Sequence, residues 1–438
     1  MTDLMSGDRG GGELDDVAGL SDLIRDNDLR IFKKDTNVYD IINVTLERST
    51  TSDESALCII DIAKIVRQYR RWVELLPSVT PYYAIKCNPN PVILRVLASL
   101  GCNFDCASMA EIALAVSATG GDPSRVIFAN PAKQISHIKF ARGNDVDLMT
   151  FDTECELYKI KLFHPNSELL MRILVNDAGS ACRFGSKFGV APEDVGSLLT
   201  IAAALKLNVT GVAFHVGSSC GNPTRYAEAI RDAREVFRVA STHGFTMNVL
   251  DIGGGYPGID VDDESESCGG VHANDNDDMA KPPPLSFERV AEVINAALVT
   301  EFGDANLRVI AEPGRYMVAN SHTIVLNVIS KKEKTLPDGD KEFVYFLNDG
   351  AYGSFSCIMY DHAHPVICPF NERDGKKHKS KLFGPTCDSI DLIVEETMLP
   401  ELAIGEYVYV ESFGAYTTAT STGFNGFAGA TPVYIMTC

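Results

Sequence analysis

Several chemically capable side chains stand in or beside short apolar runs of this sequence. Lys86 lies in PYYAIKCNPN, Asp105 in CNFDCA, Asn130 in VIFAN, Asp152 in LMTFD, Arg172 in LLMRILV, His215 in VTGVAFHVG and Glu312 in LRVIAEPG. All but Arg172, which falls mid-run, fall toward the C-terminal end of the run. A lysine in apolar surroundings is either a snorkelling amine at a strand end or a desolvated nucleophile suited to Schiff-base chemistry. The run DIGGGYPG (251–258) satisfies G-x-G-x-x-G through Gly253, Gly255 and Gly258. It leads into Pro257 and an acidic stretch rather than opening a helix, and no acidic residue ends a strand about 20 positions later, so a dinucleotide fold is disfavoured. What remains is a glycine-rich turn whose amides cradle one phosphate, with Arg315 of EPGRY as a second ligand.

Glu312, in that same EPGRY, is either an ion-pair partner of Arg315 or a carboxylate placed to meet a protonated ring nitrogen. A lysine for a Schiff base, a phosphate cradle, an acid for a pyridinium and a histidine to lie on a ring face together describe a site for pyridoxal 5'-phosphate.

Such groups converge only if the runs that carry them are strands of one sheet. Strand candidates at 82–87, 102–107, 126–130, 148–152, 169–175, 209–217, 247–254 and 307–314 alternate with helical stretches such as PVILRVLASLG and RYAEAIRDAREVFRVASTHG. Eight strands with seven helical stretches is the count of a (β/α)8 barrel, whose C-terminal strand ends build one bowl. A doubly wound open sheet has the same alternation. After Tyr316 the texture becomes β-branched and aromatic, as in EFVYFLND and EYVYVES, which predicts a second, all-β domain of sandwich or barrel-like type. The predicted organisation is a flexible acidic tail over 1–28, a β-domain from 29–51 and 317–438, and a barrel over 52–316. An acidic, polar stretch at 259–284 is expected to be a disordered loop within the barrel.

The 438 residues are of ordinary globular composition, with 45% apolar and 22% charged residues, but carry a net charge of −20. Of this, residues 1–28 hold −6 and 259–284 hold −7, so the folding body is only mildly acidic. That balance argues against nucleic acid and membrane partners. Twelve cysteines with no C-x-x-C pair exclude a disulfide scaffold and a zinc ribbon, and no metal site is expected. The N-terminus has no apolar core of a leader, and no run approaches the roughly 20 residues of a membrane span, so a cytoplasmic protein is expected.

Eleven runs, in order, resemble one family: YYAIKCNPNP, FDCASMAEI, CRFGSKFG, FHVGSSC, DIGGGYPG, EPGRY, NDGAYGSF, YDHAHP, GPTCDSIDLI, GAYT and FNGF. From about residue 30 onward the chain is similar to the eukaryotic ornithine decarboxylases, within the alanine-racemase-like, fold type III pyridoxal phosphate enzymes. The resemblance implies decarboxylation of L-ornithine to putrescine, the entry step of polyamine biosynthesis. It implies that Lys86 binds the cofactor covalently, with Asp105 and Glu111 as polar neighbours. His215 would stack on the cofactor ring, Glu312 would hold its nitrogen protonated, and Arg172 would support its hydroxyl side. Ser218, Gly253, Gly254, Gly255, Arg315 and Tyr416 would hold the phosphate. Cys387 would protonate the α-carbon, and Asp361 and Asp388 would bind the distal ammonium of the substrate. For Cys387 the bland alternative is a small buried thiol, and for the two aspartates a turn cap.

The resemblance further implies a homodimer with shared active sites, Lys187 and Asp391 pairing across its interface, and antizyme as a regulatory partner. The acidic stretch after DIGGGYPG is longer than the family's usual connection. The chain ends soon after FNGF, so control by a long C-terminal degradation tail is not expected. Alternatives are a lysine, arginine or diaminopimelate enzyme, or a catalytically inactive homologue of the antizyme-inhibitor type. Asp388 stands where diaminopimelate enzymes have Glu, and biosynthetic arginine enzymes are expected to be much longer. Retention of Lys86, His215, Glu312, Cys387 and Asp388 favours an active enzyme.

Overall fold

The computed structural model describes residues 26–48, 54–259, the backbone of 271–273, 285–303, 306–371 and 376–438. They fall into two compact units, one of Val66–Asp260 with Pro283–Met317, the other of the remaining residues.

In the first unit every one of the eight apolar runs yields a strand. They are β1 (Val79–Ala84), β2 (Asn103–Cys106), β3 (Val126–Phe128), β4 (Leu148–Phe151), β5 (Glu168–Arg172), β6 (Asn208–Ala213), β7 (Val249–Asp251) and β8 (Arg308–Ala311). Each pairs in parallel with the next, and β8 returns to β1, so the ring closes as an open doubly wound sheet cannot. Strands covered on both faces must be apolar throughout, which is why they read as runs rather than alternations. Tyr82, Ile127, Leu148, Leu170, Ala213, Val249 and Ile310, from seven of the eight strands, pack into one buried cluster. Helices between the strands start on polar caps. Asn90 accepts from the amides of Val92 and Ile93 ahead of Pro91, and Ser286 accepts from the Arg289 amide. The only tryptophan, Trp72, is fully buried against Tyr256, Phe287 and Tyr316, with ring centroids 4.8, 5.3 and 5.4 Å away.

The strands end earlier than the runs that predict them: Asn130, Asp152, His215 and Glu312 lie one or two residues beyond them. Lys86 is not on a strand: β1 stops at Ala84, and Ile85–Cys87 forms a tight helical turn. Arg172 is not mid-strand: β5 ends on it.

The second unit is organised by one long strand, His322–Thr335. Its first half pairs with Leu57–Asp61 and with Tyr407–Val410, its second half with Lys341–Leu347. Lys377–Phe383 and Leu392–Pro400 extend one side of the sheet, and Thr431–Thr437 and Arg30–Phe32 the other. Leu57–Asp61 therefore belongs to this sheet rather than to the barrel. Among the described residues of 29–51, Arg30–Phe32 is the strand supplied; Val38–Arg48 is a helix that buries Ile41, Ile42 and Val44 against Leu57, Ile59 and Tyr409. Within the stretch expected to be a disordered loop, Val271–Ala273 is a strand. It pairs antiparallel with Ala363–Pro365, His272 lying opposite His364. The rest of 260–284, and residues 1–25, lie outside the described residues.

Candidate active site

The groups at the C-terminal ends of the barrel strands converge. Lys86, one residue into the turn after β1, forms an ion pair with Asp105, on the neighbouring strand β2. The Asp105 side chain is buried, while that of Lys86 is 45% exposed, so the amine is reachable rather than sealed in the strand. Glu111 has a structural duty as well. Its Oε2 accepts the Ala107 amide at 2.6 Å, while Ser108 Oγ accepts the Glu111 amide at 3.3 Å, closing the start of helix Met109–Ala118. Burial raises the Glu111 carboxyl above its ordinary range, with nearby Asp105 adding and Lys86 opposing.

Beside these lie two buried carboxyls, Asp251 at the end of β7 and Glu312 just after β8, the strand that pairs with β1. The Glu312 amide donates to Gly253 O at 2.7 Å, and Asp251 Oδ1 accepts the Gly253 amide at 2.9 Å. Burial pushes Asp251 up to about 6 and Glu312 well above its ordinary value; Asp251 and Asp105 raise Glu312 further, against Lys86 and Arg172. Asp105, Asp251 and Glu312 thus lie buried with Arg172, beside the half-buried Glu111 and the exposed Lys86, an excess of negative charge that a proton or a cationic ligand would neutralise.

His215, two residues past β6, accepts the Gly217 amide on Nδ1 at 3.0 Å. That bond requires Nδ1 unprotonated and places the ring proton on Nε2. Burial, then Arg172 and Lys86, lower its pKa well below the usual value, so the imidazole is neutral. It lies close against the glycine turn: a Cβ at Gly254 would sit 2.8 Å from His215 Nε2 and 2.9 Å from Glu312 O, and one at Gly255, where φ is +104°, 2.4 Å from Gly217 O. The glycines are therefore required by close approach of neighbouring backbone. The Gly253 amide is taken by Asp251, while those of Gly254 and Gly255 have no hydrogen-bond partner among the described residues. Beside them an Arg315 guanidinium nitrogen donates to Ser218 Oγ at 3.4 Å. Two adjacent amides, a hydroxyl and a guanidinium suit a phosphate dianion, the carboxyl pair suits a protonated ring nitrogen, and the exposed amine suits an aldehyde. The donor set fits pyridoxal 5'-phosphate.

Asn130 and Asp152 make local hydrogen bonds instead. Asn130 Oδ1 accepts the Ala132 amide, and Asp152 Oδ2 the Gly189 amide, each bracing a loop. Asp251 is not among the residues the sequence singles out, although it too is an acid ending an apolar run; the adjacent glycines are the stronger local signal. Another lysine, Lys133, is buried, its pKa lowered to about 8 by that burial, and is saturated by Glu156 at 2.9 Å and by the carbonyls of Thr150 and Asn130.

Asp361, Cys387, Asp388 and Tyr416 belong to the second unit. Cys387 is exposed, not a buried thiol. Asp388 does cap its turn, accepting the Ile390 amide at 3.1 Å on Oδ1, but Oδ2 accepts the Tyr352 hydroxyl at 2.6 Å. The Tyr352 bond first, then the Ile390 bond, hold the Asp388 carboxyl below its ordinary range, and the bond to Asp388 pushes Tyr352 up to about 12. Asp361 follows the short helix Cys357–Tyr360, its amide donating to Cys357 O at 2.9 Å. Tyr416 adopts φ +57°, a left-handed conformation that non-glycine residues hold mostly where function or packing demands it. Asp391, expected at an intersubunit pair, has both oxygens engaged within its own chain: Oδ1 accepts the Ala351 amide at 2.7 Å and Oδ2 the Thr386 amide at 2.9 Å.

Comparison with known proteins agrees with this chemistry. Residues 62–319 match the family described as pyridoxal-dependent decarboxylase, pyridoxal binding domain. The chain is 41% identical to ornithine decarboxylase of Mus musculus over 93% of its own length and 87% of that protein's. It is also 40% identical to antizyme inhibitor 2 of Xenopus laevis, over 94% and 88%. The solved structure of the Paramecium bursaria Chlorella virus arginine decarboxylase superposes with a TM-score of 0.81 at 33% identity, covering 91% of this chain and 100% of that one. An arginine enzyme of this fold is therefore no longer than this chain, and length does not argue against arginine. Closed barrel, separate sheet unit, donor set and family match agree: the chain belongs to the fold type III pyridoxal phosphate-dependent decarboxylases.

Proposed function

We propose that the chain decarboxylates L-ornithine to putrescine and carbon dioxide. When bound, pyridoxal phosphate supplies an electron-poor ring that takes up the electron pair left as carbon dioxide departs. Lys86 Nζ would hold the cofactor's aldehyde carbon, with Asp105 keeping the amine in place. Glu312, backed by Asp251, would accept the ring N–H, and His215 would cover a ring face as a neutral imidazole. Ser218, Gly254, Gly255, Arg315 and Tyr416 would hold the phosphate, and Arg172 the hydroxyl side. Cys387 Sγ would deliver the proton to the α-carbon, and Asp361 and Asp388 would accept the distal ammonium.

The observation that carries ornithine is Asp388, one residue from Cys387 and held ionised by the Tyr352 hydroxyl, an anion ready for a side-chain cation. Lysine is longer by one methylene, a difference worth only about 1–3 kcal/mol in a pocket, so lysine is the competing substrate. Similarity to antizyme inhibitor 2 supports antizyme as a partner. The full reading is a cytoplasmic homodimer in which Cys387 and Asp388 of one subunit serve Lys86 of the other. Among the described residues no helix is long and apolar enough to cross a membrane. Purified protein given the cofactor should be yellow and release carbon dioxide and putrescine from L-ornithine. A colourless protein that stays inactive after cofactor addition would contradict the proposal and favour the inactive homologue.

A further inference from the structure

The segment after β5 is stitched to the segment after β6. Ser180–Cys182 pairs antiparallel with Ser218–Cys220, Ser218 opposite Cys182 and Cys220 opposite Ser180. Ser180 Oγ donates to Val216 O at 2.7 Å, and a Cβ at Gly217 would lie 2.5 Å from Ser180 Cβ. The loop from β5 thereby rides directly on the backbone that carries His215 and Ser218.

Within that loop one turn is pinned from both sides. Asp177 Oδ2 accepts the Phe184 amide at 2.7 Å and the Gly185 amide at 2.8 Å. The Phe184 carbonyl accepts the amides of Lys187 and Phe188 at 2.9 and 3.0 Å. From this fixed backbone the Phe184 ring reaches His215, with centroids 4.9 Å apart and planes at 88°. The Gly217 amide holds one edge of the imidazole at Nδ1 and so limits rotation about the Cβ–Cγ bond from that edge alone. A perpendicular aromatic neighbour restricts that rotation.

We propose that Phe184 is a positioning residue that sets the plane of the His215 imidazole, and that Asp177 acts through it by fixing the turn from which Phe184 projects. The proposal rests on the reading that His215 meets the cofactor's ring. A histidine already held in the binding plane loses less freedom on binding, so the effect falls on cofactor affinity and on the asymmetry felt by the bound ring.

The test uses the full-length protein, stripped of cofactor and titrated with pyridoxal 5'-phosphate, followed by visible absorbance and visible circular dichroism. Phe184→Ala should weaken binding by about 3–10-fold, the scale of one aromatic contact, and diminish the visible dichroic band. Phe184→Tyr, which keeps the ring, should restore both. Asp177→Ala should reproduce the loss in weaker form. If Phe184→Ala does not fold, Phe184→Leu keeps apolar bulk without the ring and should show the same weakening. Wild-type affinity and dichroism in the Ala or Leu variant, or equal loss in Phe184→Tyr, would overturn the proposal. A wild-type protein that takes up no cofactor would instead overturn the reading beneath it, and this proposal with it.

Discussion

At the scale of single residues, the site is a balance between a reachable amine and a buried surplus of acid. Lys86→Ala should abolish both the visible absorbance of the bound cofactor and turnover; persistence of either would mean that another amine is used. The Asp251–Glu312 pair makes a pH-dependent prediction. Both carboxyls lie above their ordinary range, so between about pH 4 and the folded values the cofactor-free chain binds more protons folded than unfolded. Their contribution to stability is therefore best below that window and worsens as pH rises through it. Compared with wild type at each pH, cofactor-free Asp251→Asn should gain relative stability as pH rises from 4 to 7. Thermal melts across that range check this, and a stability difference independent of pH would show that the pair does not titrate as described. Asp251 illustrates why part of the site was hidden. Its meaning lies in its closeness to Glu312, which only closure of β7 against β8 creates, whereas Lys86, His215 and Glu312 each declared themselves by type and position.

At the scale of elements, buried polar braces decide whether the candidate site residues of the second unit hold their shape. Asp391 is fully buried, ties Ala351 to Thr386, and leaves no room for a side chain at Gly350 or Gly384, where a Cβ would come within 2.2 and 2.3 Å of its Oδ1. Asp391→Ala strands two amides and should cost about 2–4 kcal/mol, seen as a lowered melting temperature. Turnover should fall further than cofactor binding, because the turn of Cys387 and Asp388 loosens while the barrel donors stay intact. An unchanged melting temperature would mean that water replaces the brace at no cost. Sequence legibility divides along the same line. The barrel strands were legible because double burial makes them apolar throughout. Their ends were not, since Ile85 and Ile173 continue the apolar run past the last residue of the strand. Helix Val38–Arg48 escaped because VYDIINVTLER is rich in β-branched residues, and burial of Ile41, Ile42 and Val44 against the sheet outweighs that local preference. The strand Val271–Ala273 escaped because its acidic, polar surroundings mask three residues that find a partner in Ala363–Pro365.

At the scale of the whole molecule, the central proposals are subunit sharing and substrate. If Cys387 and Asp388 complete the site of a partner subunit, mixing inactive Lys86→Ala and Cys387→Ala proteins should recover about a quarter of wild-type activity. Half of randomly re-formed dimers would be mixed, each with one intact site. No recovery after demonstrated subunit exchange would contradict shared sites. The net charge of −20 bears little on the substrate, because two segments carry most of it. In the proposed reading, cation recognition rests on Asp361 and Asp388. The most direct measurement is therefore a competition assay in which the cofactor-loaded enzyme receives equal L-ornithine, L-lysine and L-arginine and the amines formed are identified by mass. Putrescine should dominate, with kcat/KM for ornithine about 10-fold or more above that for lysine. Predominant cadaverine or agmatine, or no amine at all, would contradict the account.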